Sequence, residues 1–322
     1  MRLCNKIDQK GLKMGYKHKD LIGTRELSKE EILYFLEAAK EFKELNLSQV
    51  KKNDYLRGKT TINAFYENST RTRTSFEIAA KRLGADTINF SSSNSSVTKG
   101  ESLNDTMNNM AAMRTDIIVL RHPSSGAAKF AADRTEASVV NAGDGTNEHP
   151  SQALLDLFTL REHGKILDKN LNVAIIGDIA RSRVARSDIW AMKKFGINLK
   201  LFAPRMMMPK DAEVFESQIC KNMEEACEGS DVIIMLRIQL ERGGADVAFP
   251  SSREYSKFFG LNKNRIKLAK PDAIVLHPGP INRGVELNSD VADGTHSVIL
   301  NQVENGVAIR MAILNTLAKN RG

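Results

Sequence analysis

The chain has 322 residues, 41% of them hydrophobic, which is enough for two separate cores, and its composition is that of an ordinary globular protein. No apolar run approaches the roughly 20 residues of a membrane helix, and the first residues lack the apolar centre of a secretory signal, so a soluble cytoplasmic protein with no membrane partner is expected. The formal net charge of +8 is dispersed without interleaved aromatics or a known nucleic-acid signature, which favours small anionic ligands over nucleic acid, and the odd set Cys4, Cys220 and Cys227 predicts free thiols and no metal.

Residues 1–18 carry Arg2, Lys6, Lys10, Lys13 and Lys17 against Asp8 and read as a loose basic extension, with a disordered basic arm or an organellar targeting segment as the alternatives. Ser28 and Glu31 form a capping box ahead of Ile32, Leu33, Phe35, Leu36, Ala39 and Phe42, which lie at helical spacing. Residues 60–65 read as a strand, and Phe76, Ala79, Ala80 and Leu83, stopped by Gly84, read as an amphipathic helix. Strands follow at 87–90, 116–120 and 138–140, alternating with helices around 101–113 and 125–132, a pattern that means a parallel sheet. A helix over about 150–162 separates these from a second series of strands at 171–177, 199–202, 232–236 and 273–277, and a helix over about 297–318 closes the chain. The expected fold class is α/β, with two doubly wound parallel-sheet domains and the active site in the cleft between them. The expected domains are 19–150 together with a C-terminal helix at about 303–322, and 151–302.

Ligands of such sheets bind beyond the carboxyl ends of the strands, and the chemistry-bearing residues collect there. Ser69-Thr70-Arg71-Thr72-Arg73 fills the turn from the 60–65 strand into its helix. The unpaired N–H groups and positive dipole end of a helix start favour an anion, and arginine forks suit phosphate oxygens, so this turn reads as a phosphate cradle. Arg121 and residues 141–145 follow two further strands. His149-Pro150-Ser151-Gln152 opens a helix with an imidazole and a carboxamide about one turn apart. A neutral His there donates to a carbonyl oxygen, or the pair is a cap with a structural Gln; the residues alone leave both open.

The run 173–178 superficially suggests a dinucleotide loop, but G-x-G-x-x-G is absent and no nicotinamide cofactor is expected. Arg181, Arg183 and Arg186 follow instead and suit carboxylates, although Arg181 and Arg186 read equally well as surface or interdomain charges. Arg237, with Gln239 two residues on, emerges directly from an apolar strand. His277-Pro278-Gly279-Pro280 is a rigid turn with its carbonyls held in fixed directions, and residues 95–101 form a polar loop too long for a tight turn.

The stretch Phe65-Tyr66-Glu67-Asn68-Ser69-Thr70-Arg71-Thr72-Arg73-Thr74-Ser75-Phe76-Glu77 resembles the carbamoyl-phosphate motif of the aspartate and ornithine carbamoyltransferases. The other motifs occur in that family's order, and the resemblance covers about residues 20–318. It implies that Ser69, Thr70, Arg71, Thr72 and Arg121 hold the phosphate of carbamoyl phosphate. His149, Gln152 and the carbonyls at Gly279 and Pro280 would hold the carbamoyl group, with Thr72, Arg121 and His149 polarising its carbonyl and Arg71 and Lys99 completing the catalytic set. Arg183, Arg237, Gln239 and Lys99 are similar to residues that bind the carboxylates of an acceptor. Ser95 and Lys99 resemble a loop that enters the neighbouring subunit's active site, which implies a homotrimer with shared sites and no cofactor or metal.

Ornithine enzymes typically carry a His-Cys-Leu-Pro turn and a Ser-Met-Gly loop, which this chain lacks. Three cations suit an acceptor with two carboxylates, so the resemblance implies carbamoyl transfer to L-aspartate, an early step of de novo pyrimidine biosynthesis. The alternatives are another amine acceptor such as ornithine or, from a different class, a silent scaffold or nucleic-acid binder that retains the fold. Ala180-Arg181 and Gly279 depart from the residues often seen in the family. Regulatory chains or a pathway enzyme as partners leave no motif and stay open.

Overall fold

In a computed structural model, which describes residues 15–91, 101–238 and 251–321, the alternating pattern becomes two parallel sheets flanked by helices. The chain divides into two compact units, Met1–Phe158 with Glu304–Gly322, and Thr159–Val303.

Unit 1 begins with α1 (Lys29–Leu47), whose capping box is formed: Ser28 Oγ accepts from Glu31 N–H at 3.1 Å and Glu31 Oε2 accepts from Ser28 N–H at 2.9 Å. Its apolar face buries Ile32, Phe35, Leu36, Ala39 and Phe42. The strands β1 (Thr60–Phe65), β2 (Asp86–Ser91), β3 (Ile117–His122) and β4 (Ser138–Asp144) pair in the order β2-β1-β3-β4, all parallel. The connecting helices are α2 (Thr70–Arg82), α3 (Leu103–Ala112) and α4 (Ala127–Ala132), and α5 (Pro150–Glu162) follows β4. Ile62, Ala64, Ile118, Leu120 and Val139 of the strands pack with Met107, Ala128 and Ala131 of the helices. Gly84 stops α2 at a φ of +84°, where a Cβ would stand 2.9 Å from the Asn53 carbonyl oxygen.

Strand β4 runs four residues beyond the 138–140 read from the sequence, to Asp144. Asn141 N–H donates to the Leu21 carbonyl at 2.9 Å, and after a bulge His122 pairs with Asp144. The residues just before position 19 are anchored: Tyr16 is buried against Phe35, ring centroids 4.9 Å apart, and Asn320 Nδ2 donates to the carbonyls of Tyr16 and His18.

Unit 2 contains β5 (Asn172–Ile176), α6 (Arg183–Lys193), β6 (Asn198–Phe202), β7 (Gln218–Ile219), α7 (Met223–Cys227), β8 (Val232–Met235), α8 (Ser252–Phe259), α9 (Lys263–Ile266), β9 (Ile274–Leu276) and α10 (Ser289–Ala292). Its parallel sheet has the order β7-β6-β5-β8-β9. The near-continuous apolar strands β5 and β8 are buried throughout apart from Asn172, as expected for strands covered on both faces. The two-residue edge strand β7 went unread because both its residues are exposed and carry no apolar alternation. The closing helix, α11 (Ile299–Asn320), starts in unit 2 and ends in unit 1, just as α5 spans the first boundary.

Candidate active site

Each sheet reverses its direction of winding at one place, and several of the predicted ligand groups follow the strands that flank it. In unit 1 the chain goes from β1 to β2 on one side and from β3 to β4 on the other, so the reversal lies between β1 and β3. The cradle leaves the end of β1, and Arg121, the residue before the last of β3, stands directly opposite Phe65 in the register. Tyr66 N–H donates to the Arg121 carbonyl at 2.8 Å, fixing the two strand ends together. Arg121 Nε lies 3.2 Å from Glu67 Oε2, with both side chains mostly shielded from water.

Ser69 is the N-cap of α2, and its hydroxyl makes no capping bond, whereas Ser28, Ser102, Ser182 and Ser251 each cap α1, α3, α6 and α8 with theirs. Thr70, Arg71 and Thr72 form the first turn of α2. The first turns of α1, α3, α7 and α8 carry acidic residues that complement the dipole; those of α2 and α6 carry none and hold arginines instead. A cation at the positive end of a helix is locally unfavourable unless an anion joins it. Such a helix start suits an anion.

The loop from β4 to α5 is braced from below. Asp144 accepts from Gly126 N–H at 2.6 Å, Asn141 Nδ2 at 2.8 Å and Glu148 N–H at 3.1 Å, and Glu148 accepts from the Thr24 hydroxyl at 2.8 Å. This frame sets His149, which is 3% exposed, just before α5, and Gln152 N–H donates to its carbonyl at 2.9 Å. Gln152 Nε2 donates to Asp156 at 3.0 Å, which leaves its amide oxygen as an acceptor. Ser69, Thr70, Arg71, Thr72, Arg121, His149 and Gln152 are thereby gathered at one edge of one sheet.

In unit 2 the reversal lies between β5 and β8. Gly177, after β5, has a φ of +127°, and a Cβ there would lie 3.0 Å from the Leu236 carbonyl oxygen, so glycine permits the two strand ends to approach. Ser182 caps α6 and Arg183 is its first residue, only 3% exposed. Arg181 pairs with Asp178 at 3.4 Å and Arg186 donates to the Ala180 carbonyl at 3.4 Å. Arg237 emerges two residues after β8 and is half-buried. Past β9, Gly279 N–H donates to His277 Nδ1 at 2.7 Å, and Gly279 precedes Pro280 through a cis peptide bond. Ser95, Lys99 and Gln239 lie outside the described residues.

Two more groups stand in unit 1: His122, next to Arg121 at the end of β3, and Arg310, which was not singled out from the sequence. His122 stacks on Tyr66 at 5.0 Å and accepts from Ser124 N–H at 3.0 Å; burial holds its pKa below the ordinary 6.5, so the ring is neutral at pH 7. Arg310, buried in α11, donates to Ser75 Oγ of α2 at 2.8 Å and lies 5.0 Å from the Phe76 ring. Burial lowers its pKa to about 10, with the charge of Arg71 acting in the same direction and Asp156 opposing. The only sequence signal for Arg310 is a lone cation inside an apolar helix. Among the described residues no three His, Cys, Asp or Glu side chains gather as a metal site, and no helix is long and apolar enough to cross a membrane.

The model of the aspartate/ornithine carbamoyltransferase carbamoyl-phosphate-binding domain matches residues 19–162, and that of the family's aspartate/ornithine-binding domain matches residues 169–317. The chain belongs to this family of carbamoyltransferases. The aspartate carbamoyltransferase catalytic subunit of Campylobacter curvus is 90% identical over 309 residues, 96% of this chain and 100% of that one. Aspartate transcarbamoylase of Trypanosoma cruzi, solved with carbamoyl phosphate and aspartate, superposes with a TM-score of 0.82 at 29% identity, covering 93% of this chain and 95% of that one. Ornithine carbamoyltransferase of Pyrococcus furiosus superposes at 0.80 with 28% identity over 92% of this chain and 95% of that one. The fold is thus shared with both an aspartate and an ornithine carbamoyltransferase, so it does not by itself distinguish the acceptor.

Proposed function

We propose that this chain transfers the carbamoyl group of carbamoyl phosphate to the α-amine of L-aspartate, giving N-carbamoyl-L-aspartate and phosphate in de novo pyrimidine biosynthesis. The observation that carries this reading is the placement of fixed cations at the winding reversal of each sheet: Arg71 and Arg121 in unit 1, and Arg183 and Arg237 in unit 2. The first pair suits a phosphate, and the second suits a small molecule with two carboxylates. Near-identity to a catalytic subunit of aspartate carbamoyltransferase supports the same acceptor.

In this reading carbamoyl phosphate binds first. Backbone N–H groups at the start of α2, the hydroxyls of Ser69, Thr70 and Thr72, and the arginines take the phosphate oxygens. Thr72, Arg121 and His149 donate to the carbonyl oxygen, while Gln152 and the carbonyls at Gly279 and Pro280 orient the amide. Arg183, Arg237, Gln239 and Lys99 take the carboxylates of aspartate and hold its amine against the carbonyl carbon. The amine attacks, a tetrahedral oxyanion forms beside the fixed positive groups, and the C–O bond to phosphate breaks as the amine passes its proton to the departing phosphate. Positioning and electrostatic stabilisation supply the rate, with no covalent intermediate. The enzyme acts in the cytoplasm as a homotrimer in which Ser95 and Lys99 serve the neighbouring subunit's site.

Phosphate release and product identity with aspartate, with ornithine and with no acceptor test the reading. Aspartate-dependent N-carbamoyl-L-aspartate is expected. Turnover with ornithine alone would keep the cradle and overturn the acceptor assignment, and no turnover at all would leave a silent member of the fold.

A further inference from the structure

We propose that Glu286 is a positioning residue that ties the His277–Pro280 turn to the Arg237 loop, so that the groups orienting the carbamoyl amide and the acceptor move as one piece. The proposal rests on the reading above, in which Arg237 binds an aspartate carboxylate and the carbonyls of Gly279 and Pro280 accept from the carbamoyl amine.

The Glu286 and His277 side chains are both 0% exposed, and Glu286 Oε1 lies 3.1 Å from His277 Nε2. Because His277 Nδ1 accepts the Gly279 N–H at 2.7 Å, it carries no proton, so the ring is the neutral tautomer with its hydrogen on Nε2, donated to Glu286. The same Oε1 accepts from Asn282 N–H at 2.7 Å. One oxygen therefore clamps both ends of the segment that presents Gly279 and Pro280. The far end reaches further, since Asn282 Nδ2 donates at 3.4 Å to the carbonyl of Ile238, the residue between Arg237 and Gln239. The near end is held as well, with His277 N–H donating to Gln302 Oε1 at 2.9 Å.

Glu286 Oε2 is buried with no hydrogen-bond partner among the described residues. A carboxylate buried beside a neutral imidazole gains no ion pair to offset its desolvation, so burial alone does not account for it. What the carboxylate supplies is geometry: a single acceptor within reach of two donors that belong to opposite ends of the turn. Displacing a substrate-orienting group by about 1 Å costs on the order of 100-fold in rate, so the clamp acts on turnover through the residues it holds.

Three variants test it. Glu286→Ala removes both bonds and is expected to raise the aspartate KM and lower kcat, each by on the order of tenfold, while inorganic phosphate, which needs only the unit 1 cradle, binds as in the parent protein. Glu286→Gln keeps an acceptor oxygen in place and is expected to recover most of both losses. Asn282→Ala keeps the backbone bond to Glu286 and removes only the link to Ile238; a several-fold rise in aspartate KM with kcat nearly unchanged is expected. An unchanged aspartate KM in both Glu286→Ala and Asn282→Ala overturns the proposal, as does a Glu286→Gln enzyme as impaired as Glu286→Ala. If Glu286→Ala does not fold, Glu286→Gln and Asn282→Ala decide the matter alone. A normal aspartate KM in Arg237→Ala would instead sink the acceptor reading itself.

Discussion

In unit 1 the groups proposed to bind phosphate stand on the partly exposed first turn of α2, whereas in unit 2 Arg183 stands at the equivalent turn of α6 with 3% of its surface exposed. Both turns follow the strand at which the sheet reverses its winding, yet they solve different problems. A phosphate close to water has its charge screened, so a cradle there needs several weak contributions: uncapped N–H groups, hydroxyls and more than one guanidinium. A carboxylate meeting a shielded arginine feels a much stronger field, so fewer groups suffice, but the arginine must be supported by the fold before the ligand arrives. The cap residues record the contrast. Ser182 turns its hydroxyl onto Ala185 N–H at 3.1 Å and completes α6, while Ser69 leaves the start of α2 open.

The comparison can be broken most directly at Arg71. Arg71→Ala is expected to lower turnover on the order of 100- to 1,000-fold with the circular dichroism spectrum unchanged, and near-normal turnover would remove the cradle from the mechanism. Arg183→Ala is expected to raise the aspartate KM on the order of 100-fold while inorganic phosphate affinity, measured by calorimetry, stays put; a parallel loss of phosphate affinity would mean that the two turns do not divide the work as described. The serines sharpen the same contrast. Ser182→Ala is expected to cost about 1 kcal/mol of stability through its lost cap, whereas Ser69→Ala leaves the unfolding free energy nearly unchanged and weakens carbamoyl phosphate binding; denaturant titrations that show equal stability losses would refute the distinction.

The smallest effect concerns the unit 2 thiols. Burial pushes Cys220 up to about 11 and Cys227 up to about 12, from an ordinary 9.0. Folding therefore favours the protonated thiols: their contribution is complete below pH 9 and is lost as pH rises through the folded values. At pH 8 both are expected to resist a thiol reagent until denaturant is added, and rapid labelling of the native protein would contradict their burial.

Local chemistry was legible in the sequence and remote partnership was not. The capping box at Ser28 and Glu31, the bounds of β1 and the span of α5 all depend on residues within a turn or two of one another. The extra length of β4 depends on Leu21, more than a hundred residues earlier, and β7 exists only because the edge of β6 accepts it. The site divides the same way. Residue type and position after a strand marked Ser69–Arg73, Arg121, Arg183 and Arg237. Nothing local said that Arg183 is shielded, that Arg181 is spent on Asp178, or that Arg310 would return to touch Ser75 of α2. Glu286 carries no motif at all, and its role arises from two donors brought together by the fold.

The return of α11 to unit 1 has a consequence for how the protein is made. Ala308, Ile309, Met311, Ala312, Ile313, Leu314 and Leu317 are fully buried there, and Asn305, Arg310 and Asn320 bond back to Lys43, Ser75 and Tyr16. These residues are made after the whole of unit 2, whose segment is continuous and complete before them. During synthesis the later unit can close its core first, and the earlier one must wait, its apolar surfaces unfilled, until α11 emerges.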